Sequence, residues 1–359
     1  MNFKRKSARR IDASRLTVKL WDFTGTALLN LFIFLFIVAY LSPLPFMVIA
    51  SLTPREQFLD AKAPILPSER VTFNYGGKDL IIYQVPTDEG VKQWALVKPG
   101  RIASQFIDPA NPSAGTVEWK GNWRTLRAVY RSKPTLDNFR NFLSVAKMPV
   151  YFKNTIIVAL ISEIGILCSS IAVSYGFSRF RIPGIKYIFF VLIATIMIPS
   201  NITLVPTYYL FSGHMLGWIG TWLPLIVPHF FGSAILIFLL RQNFKSIPRD
   251  LDEAAMLDGA GPLRILISVI LPQSIPVVTT VALLHFFYIW NETRLSSLYL
   301  GIAPDLQMVS FAVQRNQTYF FTPEMLMVGA LMVLIVPVIV LFLSQRFFMR
   351  DMIVTQIEK

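Results

Sequence analysis

Six runs of predominantly apolar residues constrain this chain more than any other feature. They cover roughly residues 26–50, 154–177, 185–205, 219–240, 275–290 with a polar extension, and 325–348. A helix that crosses the hydrocarbon core of a bilayer needs about 20 such residues, and each run comes near that length. The composition agrees. Only 15% of the 359 residues are charged, against about a quarter in soluble domains, and 54% are hydrophobic. The one cysteine, Cys168, lies inside an apolar run and excludes an intrachain disulfide or a cysteine metal cluster. The histidines His214, His229 and His285 are too scattered to suggest a metal site by spacing. A net charge of +13 invites a nucleic-acid reading, but the basic residues flank apolar runs, where lipid headgroups and cytoplasm meet them.

The same basic residues orient the spans. Lys4, Arg5, Lys6, Arg9, Arg10, Arg15 and Lys19 precede the first run, which is too long for a signal peptide and lacks a small-residue cleavage pattern. It reads as a retained span behind a cytoplasmic tail, residues 1–25. Arg179, Arg181 and Lys186 then fall inside, as do Arg241, Lys245, Arg249 and Arg264, while residues 200–217 carry no Lys or Arg. Arg294 and Arg315 in the last external loop dilute this contrast without reversing it. Both termini are therefore expected in the cytoplasm, the second as a tail at residues 349–359. Residues 51–135 are too polar for lipid. Their runs "VTFNYGG", "DLIIYQV", "QWALVK" and "GTVEWKGNWRTLRAVY" alternate with turn formers, which predicts an external, mostly β domain. "KPTLDNFRNFL" reads as a capped helix before the second span. The expected fold is an all-α membrane bundle of six transmembrane helices, with this β domain inserted between the first and second and the remaining spans in a core at 136–348.

One segment departs from the apolar runs around it: "EAAMLDGAGPLRILISVILP", Glu253 to Pro272, inside a cytoplasmic loop at 246–272. Pro248 suits a first helical turn, and Asp250, Asp252 and Glu253 favour the positive end of the helix dipole. Ala254 and Ala255 let another surface approach the backbone, and Gly259, after Asp258, stops the helix in a left-handed conformation. Gly261 and Pro262 start a second short helix, which Leu271 and Pro272 end. Two stubby helices with a glycine corner suit an amphipathic loop on the membrane face, and equally a docking knob for a groove in a partner.

This segment resembles the EAA loop of binding-protein-dependent ABC importer permeases, E-A-A, three residues, G, nine residues, then I-x-L-P. Glu253, Ala254, Ala255, Gly259, Val269, Leu271 and Pro272 stand at those spacings, with Val for Ile. "IPRDLDEAAMLDGA" is similar to the carbohydrate, maltose-type branch, and "SYGFSRFRIPG", "MIPSNITLVPTYYL", "IFLLRQNFKSIP" and "WNE" extend the likeness over about 136–348. The resemblance implies half of a pore. A second, related permease supplies the other half, two cytoplasmic ATPase subunits bind ATP and Mg²⁺, and an extracytoplasmic solute-binding protein delivers the cargo. It implies that the loop docks in an ATPase cleft, with Glu253 making polar contacts there. It also implies that this chain binds no cofactor and lies in the bacterial inner membrane. The chain departs from the family in lacking a glycine-rich basic tail after the last span, and in the size of its external domain.

Ionisable groups at membrane depth are functional suspects. Glu163, in the second span, faces the permeation path, a basic partner residue, or water near the outer interface. On the fifth span His285, Tyr288 and Glu292 share one helical face, with Asn291 beside them. They suit a sugar-stacking surface, and equally interhelical packing with Asn291 capping the span. Pro199, Pro206, Pro224 and Pro228 predict kinks or early helix ends in the third and fourth runs. No G-x-x-x-x-G-K-[ST] loop is present, so ATP belongs to another chain and this subunit is not an enzyme. A secondary transporter would need coupling carboxylates in its spans, and a membrane glycosyl transferase would need clustered acids. Neither pattern stands out. Carbohydrate is the expected cargo by resemblance, with a non-sugar solute as the alternative.

Overall fold

The computed structural model describes residues 24–145, 147–317 and 322–357. The basic tail from Lys4 to Lys19 lies outside the described residues, as do the last two residues of the C-terminal tail. The chain divides into two compact units, 1–135 and 136–359.

The first unit begins with α1, Thr24–Ser51, whose side chains from Leu28 to Val48 are mostly exposed. A one-turn helix follows, α2 (Arg55–Phe58). Eight strands come next: β1 (Ser68–Arg70), β2 (Thr72–Tyr75), β3 (Lys78–Thr87), β4 (Gly90–Lys98), β5 (Ala103–Ile107), β6 (Thr116–Lys120), β7 (Arg127–Ala128) and β8 (Tyr130–Ser132). The larger sheet runs β2-β3-β4-β5-β6 with β7 also on β3, and β1 pairs β8. Gly76 and Gly77, at φ 59° and 77°, close the β2–β3 hairpin, where side chains would be strained. Alternation along β3 sends Tyr83 and Val85 to one face, with Trp94, Phe106 and Leu126, and Ile82 to the other, with Ala95 and Ile107. Strand β5, which the sequence does not announce, is held by Phe106 and Ile107 among the polar Ser104 and Gln105.

Gln57 fastens α2 to the loop before β1. Its amide donates to the carbonyls of Pro64 at 2.6 Å and Leu66 at 2.8 Å, and its Oε1 accepts the Ser68 N–H at 2.7 Å. Gln57→Leu leaves these groups without partners in a buried position, so it should cost roughly 1–3 kcal/mol. Limited proteolysis of the membrane-embedded protein should then cut near residues 60–68 first; unchanged resistance would contradict that role.

The second unit is helical: α3 (Asp137–Val145), α4 (Met148–Arg179), the pair α5 (Ile185–Met197) and α6 (Ser200–Phe211), α7 (Leu223–Ser246), α8 (Arg249–Leu257), the pair α9 (Pro262–Gln273) and α10 (Ile275–Trp290), α11 (Arg294–Leu300), α12 (Val309–Gln317) and α13 (Pro323–Ile357). Among the described residues, four helices of the chain are long and apolar enough to cross a membrane, α1, α4, α7 and α13. The pairs α5–α6 and α9–α10 also qualify, bent by 97° and 85°.

The helix ends differ from the sequence expectation for physical reasons. Helix α4 starts at Met148, not near 154, because Met148 and Tyr151 bury against Phe142, Trp290 and Val328 instead of needing lipid. The third run is no single helix from 185 to 205. Pro199 forces the preceding Ile198 into an extended conformation and the chain turns. Pro206, by contrast, sits inside α6 without ending it. Helix α7 begins at Leu223 instead of 219, narrows to a 3-10 turn over Val227–Phe231, where Pro228 stands, and restarts after Gly232 at φ 80°. Helix α13 continues to Ile357, through most of the stretch expected as a separate tail. The core forms where α4 packs on α7 and α10, and α10 on α13, around Phe244, Ile270, Trp290 and Met148.

Candidate functional site

The loop after α7 forms an elbow of two helices. Pro248 is the N-cap of α8, one position outside the expected first turn, and Asp250 and Asp252 occupy that turn. At its other end the Gly259 N–H donates to the Met256 carbonyl at 3.0 Å and the Ala260 N–H to the Ala255 carbonyl at 2.9 Å. This reciprocal pair, with Gly259 at φ 78°, is a Schellman stop. Gly261 then caps α9, and Pro262 fills its first turn. Within α9 a π-helical stretch spans Leu266–Ile270, and Pro272 lies inside the last turn; the break falls after Gln273, at Ser274. Glu253, Ala254, Asp258 and Pro272 are exposed. Ala255 and Leu271 instead pack partly into this chain's own core, beside Ile265 and Phe244. Their small or apolar side chains therefore serve the elbow's seating. On the outside, Leu257 is 90% exposed, with Met256 and Leu263 also uncovered. Clustered exposed apolar side chains of this kind mark an interaction surface.

Side chains fasten this elbow to the end of α4. Arg179 Nε lies 3.0 Å from Asp252 Oδ2, and both side chains are less than 10% exposed. The contact is one of charge, since neither Arg179 Nε nor Asp252 Oδ1 completes a hydrogen bond. Both Nη atoms of Arg179 donate to the Ile247 carbonyl at 3.2 Å. Arg241 and Arg249 donate to the carbonyls of Phe177 and Ser178, which the last turn of α4 leaves without helical partners. The Tyr175 hydroxyl reaches the Pro262 carbonyl at 3.0 Å. Sequence reading missed Arg179 and Asp252 as a pair because their separation along the chain carries no periodic signal.

A second polar site lies where α4, the 3-10 turn of α7 and α10 meet. His285 Nδ1 and Glu163 Oε2 are 2.7 Å apart, and His285 Nε2 and His229 Nδ1 are 3.1 Å apart. Glu163 thus has a partner within this chain, one its position in the sequence did not suggest. His285 is buried, and Glu163 Oε1 is buried with no partner. His229 sits on the 3-10 turn of α7. Gly165 admits that turn, because a Cβ there would lie 2.5 Å from the Phe230 ring, and Ser169 Oγ bonds the His229 carbonyl at 3.2 Å. The rings of His229 and Tyr288 are 6.3 Å apart, and together with His285 and Ser233 they line a cavity of about 550 Å³. That volume lies within the usual range for small-molecule sites. The imidazoles and carboxylate bond one another in line, and among the described residues no three His, Cys, Asp or Glu side chains are placed to hold a metal.

The structure brings His285 and Tyr288 together at this cavity, with Glu163 bonded to His285 behind the wall; neither Asn291 nor Glu292 lines it. Asn291 ends α10, its amide bonded back to the Phe287 carbonyl at 2.9 Å. Glu292 lies within electrostatic reach of Tyr288, yet its Oε1 accepts the Leu295 N–H at 2.7 Å at the start of α11. The neighbour of His285 that sequence reading missed is His229, whose position in a proline-broken stretch was the available signal.

Comparisons with known proteins agree with these features. The family model described as "binding-protein-dependent transport system inner membrane component" matches residues 165–354, just over half of the chain. An osmoprotective compounds uptake permease of Synechocystis sp. is 28% identical over 266 residues, covering 72% of this chain and 86% of its own. An alpha-glucoside transport system permease of Rhizobium meliloti is 27% identical, over 61% of this chain and 59% of its own length. Among solved structures, a bacterial ABC transporter involved in the import of the acidic polysaccharide alginate superposes with a TM-score of 0.61. That likeness covers 92% of this chain and 97% of the other at 18% identity, which shows a shared fold. With an elbow of EAA type, broken apolar helices and a family match across the core, the chain belongs to the inner-membrane permease components of binding-protein-dependent ABC transport systems.

Proposed function

We propose that the chain is the permease subunit of an ATP-driven carbohydrate importer in the bacterial cytoplasmic membrane. It forms half of a translocation pore with a second, homologous permease. The observation that carries this reading is the elbow of α8 and α9, apolar on its outer face and locked to α4 by the buried Arg179–Asp252 pair. Two ATPase subunits bind ATP and Mg²⁺, and one of them holds that elbow in a cleft on the cytoplasmic side; the permease binds no cofactor and catalyses nothing itself. As they close, α8 and α9 swing as one lever and tilt the spans. In this reading α1 is the first of six spans, with α5–α6 and α9–α10 each forming one bent span. Both termini are cytoplasmic, and the β-rich residues 51–135 lie outside, where a solute-binding protein delivers the cargo. An alpha-glucoside permease among the relatives favours a sugar.

Affinity purification from native membrane tests the assembly. Recovery of an ATPase, a second permease and a binding protein is expected; a chain recovered without any ATPase contradicts it. Tyr288 lies on the cargo path in this reading, since its ring is exposed at the cavity beside His229. Loss of one aromatic stacking contact, about 1 kcal/mol, should lower cargo uptake by Tyr288→Ala roughly five-fold, with leucine at 288 no better. Unchanged uptake and substrate range would remove Tyr288 from the path.

A further inference from the structure

We propose that the cavity walled by His229, Ser233, His285 and Tyr288 receives a neutral, hydroxyl-rich group of the cargo and rejects anions. The inference rests on the importer reading for the word cargo, but its chemistry comes from the cavity alone.

His229 spends Nδ1 on His285 and, among the described residues, has no hydrogen-bond partner at Nε2, its ring on the cavity wall. The direction of the hydrogen-bond chain is set by one proton. With Glu163 accepting from His285 Nδ1–H, His285 accepts from His229 Nδ1–H, and His229 Nε2 is left an acceptor. With a proton on Glu163, every bond reverses and His229 Nε2 becomes a donor. A hydroxyl satisfies either state, because it both donates and accepts. The Ser233 hydroxyl has the same double capacity, and the Tyr288 hydroxyl, within hydrogen-bond reach of Glu292, offers its oxygen as an acceptor. Such a wall fits the hydroxyls of a sugar or polyol.

An anion finds no such match. Tight sites for phosphate or carboxylate present arginine or lysine, and neither lines this cavity. Arg294, the cation within electrostatic reach of Tyr288, is engaged by Asn201 Oδ1 at 2.6 Å and by Ser200. Close behind the wall stand the carboxyls of Glu163 and Glu292, which repel an entering anion in their ionised form. The cavity thus differs in its demand from a transporter of an acidic polysaccharide, although the two chains share a fold.

Thiol labelling in native membranes tests this without knowledge of the cargo. With Cys168→Ser removing the one native thiol, Ser233→Cys places a thiol in the wall, and Leu284→Cys gives a second site on the same cavity. Methanethiosulfonates carrying a neutral hydroxyethyl or an anionic sulfonatoethyl group are compared, each rate divided by that with free cysteine. The neutral reagent should react at least ten-fold faster at both sites, and Glu163→Gln should narrow that preference several-fold. Equal rates, no reaction at either site, or a preference that Glu163→Gln leaves intact would each overturn the inference. Discrimination at the cavity in a chain that recovers no ATPase would leave the inference standing and remove the importer reading.

Discussion

Gly259→Pro is expected to leave the protein in the membrane at wild-type levels and to reduce coupled uptake by at least ten-fold while ATP hydrolysis continues. Gly259 holds φ 78°, and proline is fixed near −65°. Proline also lacks the N–H that bonds the Met256 carbonyl. The corner between α8 and α9 must open, at a cost of about 3 kcal/mol or more in that segment. The apolar spans are untouched, so insertion is unaffected. Gly259→Ala keeps the N–H and meets no atom within 4 Å, so it faces only the left-handed backbone penalty of about 1–2 kcal/mol. It should fall between wild type and proline. Membrane-fraction abundance, uptake and ATPase activity measured together separate these outcomes. Full coupling in Gly259→Pro would show that the corner transmits nothing.

The second large effect is expected at the buried pair. Removing one partner strands the other charge in a site less than 10% exposed, so Asp252→Ala or Arg179→Ala alone should destabilise the elbow's seat by roughly 3–5 kcal/mol. Replacing both by apolar residues, Arg179→Met with Asp252→Leu, removes the stranded charge and should recover most of that loss, though not the Nη bonds to the Ile247 carbonyl. The check is a double-mutant cycle on thermal unfolding in detergent, with uptake and ATPase activity in parallel. Additive losses would mean that the two charges do not hold each other. Uncoupling in the single variants, with hydrolysis running and uptake lost, is the signature of a lever that has come loose.

The sequence announces local features of this molecule well. Gly259, held at φ 78°, and Pro262, in the first turn of α9, mark the elbow because the chain's own geometry favours them there. Pro199 and Pro228 mark breaks for the same reason, while Pro206 shows the limit of that logic, since α6 continues through it. What could not be read were pairings made in space. Asp252 looked like a helix-dipole residue and proves to be buried against Arg179. His229 and His285 looked scattered, yet they meet beside Glu163's helix, because a proline break and Gly165 let the α7 turn come close. The helical spacing of His285, Tyr288 and Glu292 was real, but Glu292 is drawn to an unpaired N–H at the start of α11. Strand β5 was hidden for a similar reason. Two apolar residues suffice when neighbouring strands supply the rest of its surroundings.

The central claim is that the elbow is gripped by a nucleotide-hydrolysing neighbour on the cytoplasmic face. Leu257 is its most direct reporter, being 90% exposed at the end of α8. With Cys168→Ser in place, Leu257→Cys should form a short-span cross-link in native membranes to a cytoplasmic ATPase chain, and the yield should change when ATP is bound. A cysteine at 257 that never reaches such a chain, or that is labelled by a membrane-impermeant thiol reagent from outside intact cells, would contradict the account.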